Sequence, residues 1–192
     1  MEQTTKVVTG KVRFSYVAVF QPKAMDEKSE PKYSVSIIIP KSDKATLDRI
    51  NKAIEAAKVA GKAKLADKTG KIPTNIKVPL RDGDTDRPDD EAYADSFFIN
   101  ASSNRRPGVV DAQLNEIITP EDFYSGCYGR ASINFYAFNA NGNKGIAAGL
   151  QNLQKLAEGE PLAGASAEQD FGGDNEYKDS DMLQYSICSD RT

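Results

Sequence analysis

The chain has 192 residues, room for one domain plus a tail, and a formal charge of −3 from 25 Lys and Arg against 28 Asp and Glu. With no His and only two Cys, Cys127 and Cys188, it excludes Ser-His-Asp and Cys-His nucleophile pairs, His-ligated zinc and a disulfide framework. The charge is uneven: 23 Lys and Arg stand against 19 Asp and Glu up to Leu156, and 2 against 9 from Ala157 onward, as in proteins whose acidic segment competes with a polyanion for a mildly basic body.

Residues 7–20 read as a strand, with a bulge at Gly10. Strand side chains alternate between faces. This puts Val12, Phe14, Tyr16, Ala18 and Phe20 on one side and Lys11, Arg13 and Ser15 on the other, before Val17 and Val19 blur the pattern. Residues 21–31 are polar with two prolines and read as a loop. Residues 32–39 form the next strand, closed by Pro40, with Tyr33, Val35, Ile37 and Ile39 on one face.

A helix follows. Ser42 or Asp43 caps it, Leu47, Ile50, Ile54 and Ala57 mark its buried stripe, and Gly61 ends it. Its Lys44, Arg49, Lys52 and Lys58 alternate with acids, the pattern of a solvated face. Residues 61–87 form a long connection rich in Lys, Pro and Gly, with short extended pieces. Residues 96–101 are a short strand, and 102–108 a loop carrying Arg105 and Arg106. Residues 109–118 resemble a hairpin or bent strand, and 119–122 suit one helical turn.

The most informative stretch is 123–138, FYSGCYGRASINFYAF. From Cys127 it splits into two unlike faces. Cys127, Gly129, Ala131, Ile133, Phe135 and Ala137 are small or apolar, as a core face should be, and the thiol is read as inert and buried. Tyr128, Arg130, Ser132, Asn134, Tyr136 and Phe138 combine three aromatics, a cation and hydrogen-bonding groups. That set suits a platform on which bases stack while a cation meets phosphate. The competing explanation is a second layer covering this face. Residues 139–143 form a turn, since Asn and Gly tolerate positive φ, and 144–153 return as the paired strand. From Ala157 the chain is acidic and poor in apolar residues, and it is read as disordered.

One clear helix among five or six strands, with glycines inside the strands, indicates a mainly β chain: an OB-fold-like small Greek-key barrel with long loops and a disordered acidic C-terminal tail. The expected division is a barrel over 1–163 and a tail over 164–192. Nothing approaches the ~20 apolar residues that span a bilayer, and the first residues lack an apolar h-region. No membrane association and a reducing cytoplasm are expected.

The strongest enzyme-like signal is residues 82–91, where clustered carboxylates could hold Mg²⁺ or Ca²⁺. Its opening follows an EF-hand spacing and then fails, with Arg87 at the sixth position and Tyr93 at the twelfth. The alternative is a solvated turn whose acids pair with Arg81 and Arg87, or a loop that shapes a groove rim. The glycines of GCYGR lack the Lys-Ser/Thr ending of a phosphate loop, and relief of crowding in a bent barrel strand accounts for them.

Several ordered blocks carry a family resemblance: YVAVF at 16–20, PKYSVSIIIPK at 31–41, LRDGD at 80–84, RPDDE at 87–91 and FYSGCYGR at 123–130. Over about residues 8–162 the chain resembles the bacteriophage single-stranded-DNA-binding proteins. The resemblance implies an OB-fold, sequence-tolerant binding of single-stranded DNA, a role in phage DNA replication or recombination in the infected bacterial cytoplasm, and neither catalysis nor a cofactor or metal. Tyr128, Tyr136 and Phe138 would then stack on bases, with Tyr16, Phe20 and Tyr33 as additions. Arg130, Arg105, Arg106, Lys23, Lys32, Lys77 and Arg81 would meet phosphates. The family's acidic tail is matched by residues 167–182. There Asp170, Phe171, Asp174, Glu176, Asp179 and Asp181 would compete with DNA or recruit replication and recombination proteins. Residues 184–192 depart from the family's acidic ending. Oligomerisation stays open. Two alternatives come from other classes: a metal-dependent nuclease or phosphohydrolase on residues 82–91, and a protein-interaction or virion component.

Overall fold

The computed structural model describes residues 4–24 and 27–162, within a compact unit that ends at Leu162. The tail expected over 164–192, with Asp170, Phe171, Asp174, Glu176, Asp179 and Asp181, lies outside the described residues. The elements are β1 (Lys6–Val8), β2 (Val12–Lys23), β3 (Lys32–Pro40), α1 (Lys44–Ala60), α2 (Lys62–Leu65), β4 (Leu80–Asp82), α3 (Gly83–Asp86), a 3-10 turn (Glu91–Tyr93), β5 (Ser96–Ser103), β6 (Gly108–Val110), β7 (Tyr128–Ala140) and β8 (Asn143–Ala157).

Five strands close a ring: β2 pairs with β3, β3 with β5, β5 with β8, β8 with β7, and β7 with β2. All these pairings are antiparallel except β5–β8. Taken as first to fifth barrel strands, β2, β3, β5, β7 and β8 run in the spatial order 1-2-3-5-4, the closed Greek key of an OB barrel. β1 extends the wall beside β7, β6 beside β8 and β4 beside β5.

Period-two alternation fills the barrel. Phe14, Ile37, Ile39, Ile99, Ile133, Phe135 and Leu153 are buried in one core, and Leu47, Ile50, Ile54 and Ala57 of α1 join it. The Asp43 carboxylate caps α1 by accepting the Thr46 N–H at 3.1 Å. At β7, Cys127 just before the strand and Gly129, Ala131, Ile133, Phe135 and Ala137 within it are buried, while the alternate residues from Tyr128 to Phe138 are half-buried or exposed. Burial pushes the Cys127 thiol up. Asn141 (φ 52°) and Gly142 (φ 84°) make the hairpin turn into β8, both left-handed as a primed turn requires.

Several expectations change. Residues 7–20 are not one strand bulged at Gly10 but β1 and β2, which pair with different neighbours, and β2 runs on to Lys23 into the expected loop. Tyr16 has φ 47°, and the β2–β3 register shifts between Ser15 and Ala18. The inward series therefore passes from Val12 and Phe14 to Val17 and Val19, Tyr16 turns outward, and the half-buried Phe20 still packs against the same core. The connection after Gly61 holds α2, β4 and α3. Residues 119–122 make a turn and no helix, with the Asp122 N–H donating to Thr119 O at 3.2 Å. Order continues beyond Ala157: the Leu162 N–H donates to Ser125 O at 2.9 Å, the Tyr124 hydroxyl donates to Glu158 Oε2 at 2.6 Å, and Arg13 Nη2 donates to Glu160 O at 2.8 Å.

The seat of α1 gives a stability test. A Cβ on Gly61 would lie 2.1 Å from the Cβ of Ala137 on β7, a clash relieved only by lifting the helix end off the barrel. Gly61→Ala should cost about 1–3 kcal/mol in urea denaturation. An unchanged urea midpoint would mean that the helix end does not rest there.

Candidate nucleic-acid interface

The outward face of β2, β3 and β5, called the trough below, is flanked by two loops that carry arginines. Two rows of small or polar residues cross it, Ser15–Ser36–Asn100 and Ala18–Ser34–Ser102. Ser15, Ser36 and Ala18 are buried, so the surface a ligand can reach in these rows is Asn100 with the half-buried Ser34 and Ser102. The next row holds Ile38 and Phe98, which Tyr93 covers. Its ring meets Phe98 edge-on at 5.0 Å, and its hydroxyl donates to Ser36 Oγ at 2.9 Å.

Each side of the trough has an arginine mounted on aromatics. On one side the Arg87 guanidinium lies 5.0 Å from the Tyr16 ring centre, 4.9 Å from Tyr93 and 5.6 Å from Phe98, and its Nη1 donates to the Tyr16 hydroxyl at 3.2 Å. Tyr16 remains 59% exposed. The register shift that gives it a left-handed backbone is also what turns its ring outward. On the other side Arg106 lies 5.7 Å from the half-buried Phe20 ring. Cation–π seating positions a guanidinium without consuming its charge. Nearby Lys23 and Lys32 pair directly across β2 and β3, two exposed like charges that an anion between them would relieve. Arg105 is exposed on the same loop as Arg106.

The wall itself is free of anions. Among the described strands only β4 contains an Asp or Glu. Four of the six acids of residues 82–91 are engaged in structure instead. Lys41 Nζ bridges Asp82 at 3.0 Å and Asp84 at 2.6 Å. Asp86 pairs with Arg81 at 2.8 Å, and Asp90 caps the 3-10 turn by accepting the Ala92 N–H at 3.2 Å. The expected pairing of Arg81 with these acids is present. Arg87 instead stacks on rings, because α3 and the 3-10 turn carry it onto Tyr16 and Tyr93.

The remaining sequence candidates are scattered. Arg81 is tied to Asp86 and also lies 5.3 Å from the Phe98 ring, the ring Arg87 shares, so it is the one of these brought beside the Arg87 cluster. Tyr128 is half-buried between Lys11 and Arg13, each 5.4 Å from its ring. Arg130 Nε donates to Thr9 O at 3.2 Å. Tyr33 belongs to the inward series of β3, above Val35, and is half-buried. Lys77 bridges to Gly145, where Phe138 also packs. Tyr136 stands 46% exposed on β7. Sequence reasoning missed Arg87 and the small-residue floor. The alternation of serines on β3 was legible, but their alignment with Asn100 and Ser102 depends on strand register.

Residues 5–183 match the protein family described as "Enterobacter phage Enc34, ssDNA-binding protein". Protein p50 of Acyrthosiphon pisum secondary endosymbiont phage 1 is 30% identical over 173 residues, covering 85% of this chain and 91% of that protein. The single-stranded DNA-binding protein of bacteriophage Enc34, solved in complex with ssDNA, matches with a TM-score of 0.67 and 26% identity over 84% of this chain and 94% of that one. The single-stranded DNA-binding protein gp2.5 of bacteriophage T7 shares the fold, with a TM-score of 0.57 and 15% identity over 91% and 98% of the two chains.

The engagement of the acidic segment can be tested by titration. Hydrogen bonding from Lys41, then from the Asp95 N–H, holds the Asp84 carboxyl below the usual aspartate range. Its contribution to stability is therefore present near neutrality and lost as pH falls through that lowered midpoint. NMR titration should find Asp84 protonating below ordinary aspartates, and Lys41→Ala should raise its midpoint. A midpoint indifferent to Lys41 would show that the bridge does not form in solution.

Proposed function

The chain belongs to the Enterobacter phage Enc34 single-stranded-DNA-binding protein family, whose members bind without catalysis, and from that membership we propose that it holds single-stranded DNA in the trough on β2, β3 and β5. The observation that carries this reading is the pairing of a small polar floor with two ring-mounted arginines on a wall almost free of carboxylates. A solvated surface would not need a tyrosine in a left-handed backbone to carry an arginine.

In this reading Tyr16 and Phe20 offer π-faces to bases. Stacking is worth about 1–3 kcal/mol per base and tolerates any sequence, because every base has a π-face. Arg87, Arg106, Arg105, Lys23 and Lys32 meet phosphates, and Ser34, Asn100 and Ser102 offer hydrogen bonds to bases or sugars. Arg87 takes over the role expected of Arg81 from sequence, since Arg81 is neutralised by Asp86. Tyr33, Lys77, Arg130, Tyr128 and Phe138 are peripheral to this trough.

The acidic segment beyond Leu162 has the composition to compete with DNA for the trough and to recruit replication or recombination proteins. The proposed setting is phage DNA metabolism in the infected host's cytoplasm. No described helix is long and apolar enough to cross a membrane.

Salt-titrated binding to a labelled oligonucleotide tests the reading. Tyr16→Ala should weaken binding by about 1–3 kcal/mol. The double substitution of Arg87 and Arg106 by Ala should weaken all sequences alike. It should also reduce the slope of log K against log salt by about 0.7 for each phosphate that is no longer neutralised. Wild-type affinity and slope in both variants would remove the trough from consideration. Cleavage of the strand in the presence of Mg²⁺ would instead favour the nuclease alternative.

A further inference from the structure

We propose that the single-strand track does not stop at Ser102 but crosses Gly149 onto the outward face of β7 and β8, where Tyr136 receives a further base. This inference rests on the trough being the primary site. It makes the protein's footprint on DNA longer than the trough alone allows.

Strand register lays out the track. Ala18 pairs with Ser34, Ser34 with Ser102, Ser102 with Gly149, Gly149 with Asn134, and Asn134 with Lys6. One outward residue from each of six strands therefore lies in a single row around the barrel. The row spans five interstrand spacings of about 4.8 Å, roughly 24 Å in all. Its members are small or polar until Lys6 at the far end, so the trough floor runs on without a step across the β5–β8 joint.

Tyr136 stands beside that joint. A Cβ on Gly149 would lie 3.4 Å from Tyr136 Cε1, so the ring leans over the glycine. The ring is still 46% exposed, which leaves π-surface open next to the floor. An aromatic leaning over a sheet glycine also has a purely structural use, since it shields exposed backbone. Charge favours a ligand. β1, β7 and β8 contain no Asp or Glu, and exposed Lys6 and Arg130 lie on the same outward face. A neutral aromatic beside amides, with cations at the margin and no anion, matches a polyanion with stackable bases.

The test compares oligo-dT of about 3 nucleotides, which the two spacings from Ala18 to Ser102 accommodate, with about 16, the upper end of the OB-fold range, on the full chain carrying Tyr136→Ala or Tyr136→Phe. Tyr136→Ala should weaken the long oligonucleotide about tenfold, leave the short one within about twofold and keep the thermal midpoint. Tyr136→Phe should behave as wild type. Ultraviolet cross-linking should join Tyr136 to the long strand. Equal loss on both lengths with a lowered midpoint would make Tyr136 a cover for Gly149 and overturn the extension. Unchanged binding of the long strand would also overturn it and leave the face to a protein partner. Failure of the wild type to bind either oligonucleotide would sink the primary trough, and the extension with it. Normal short-strand binding with an indifferent Tyr136 would sink the extension alone.

Discussion

The structure depends on one parallel pairing, in which Ala101 of β5 faces Ala148 of β8 and Ser102 faces Gly149. Without it the strands form an open sheet whose two ends carry unpaired backbone. With it the sheet closes and every wall residue is committed: Ala101 and Ala148 are buried in the core, while Ser102 and Gly149 face outward. Closure makes the interior a packed core and the exterior a continuous lattice of side chains in register. The proposed site and its proposed extension both lie on that outer lattice.

The second determinant is a local irregularity. A non-glycine residue in a left-handed backbone costs on the order of 1–3 kcal/mol and persists where the surroundings over-determine it. At Tyr16 those surroundings are the shifted β2–β3 register on one side and Arg87 on the other. The shift lets Phe14 and Val19 both point inward although their positions differ in parity. The residue between them is pushed outward, and there an aromatic becomes the seat of an arginine. Packing of the core and presentation of the surface are thus solved by the same bulge.

Charge is distributed by the same logic. Among the described residues, acids are kept off every strand but β4, and Asp82, Asp84, Asp86 and Asp90 are held by Lys41, Arg81 or backbone N–H groups. Their partners are exposed, so these ion pairs add little to stability individually. Their effect is to cancel negative potential beside the trough. Arg87, which belongs to the same acidic segment, is held on Tyr16, Tyr93 and Phe98 instead of in an ion pair, the arrangement the proposed function relies on.

Much was legible because it was local. The alternation from Cys127 to Phe138, the Asp43 cap, the stripe of α1 and the Asn141 and Gly142 turn each depend on neighbours within a few residues, and each is found where its pattern places it. The blocks at 31–41 and 123–130 carried the family and hence the barrel. The outward turn of Tyr16 was not legible, because a bulge is defined by the opposing strand, and β3 begins sixteen residues after Tyr16. The stacking of Arg87 was hidden too, since an arginine amid aspartates reads as an ion pair until folding brings rings from β2, β5 and the 3-10 turn to it. The sequence by itself determined which residues are inward or outward within a regular strand. Only tertiary structure decided which outward residues become neighbours, because the registers of β2 on β3 and of β5 on β8 are set by core packing and closure between segments far apart in the chain.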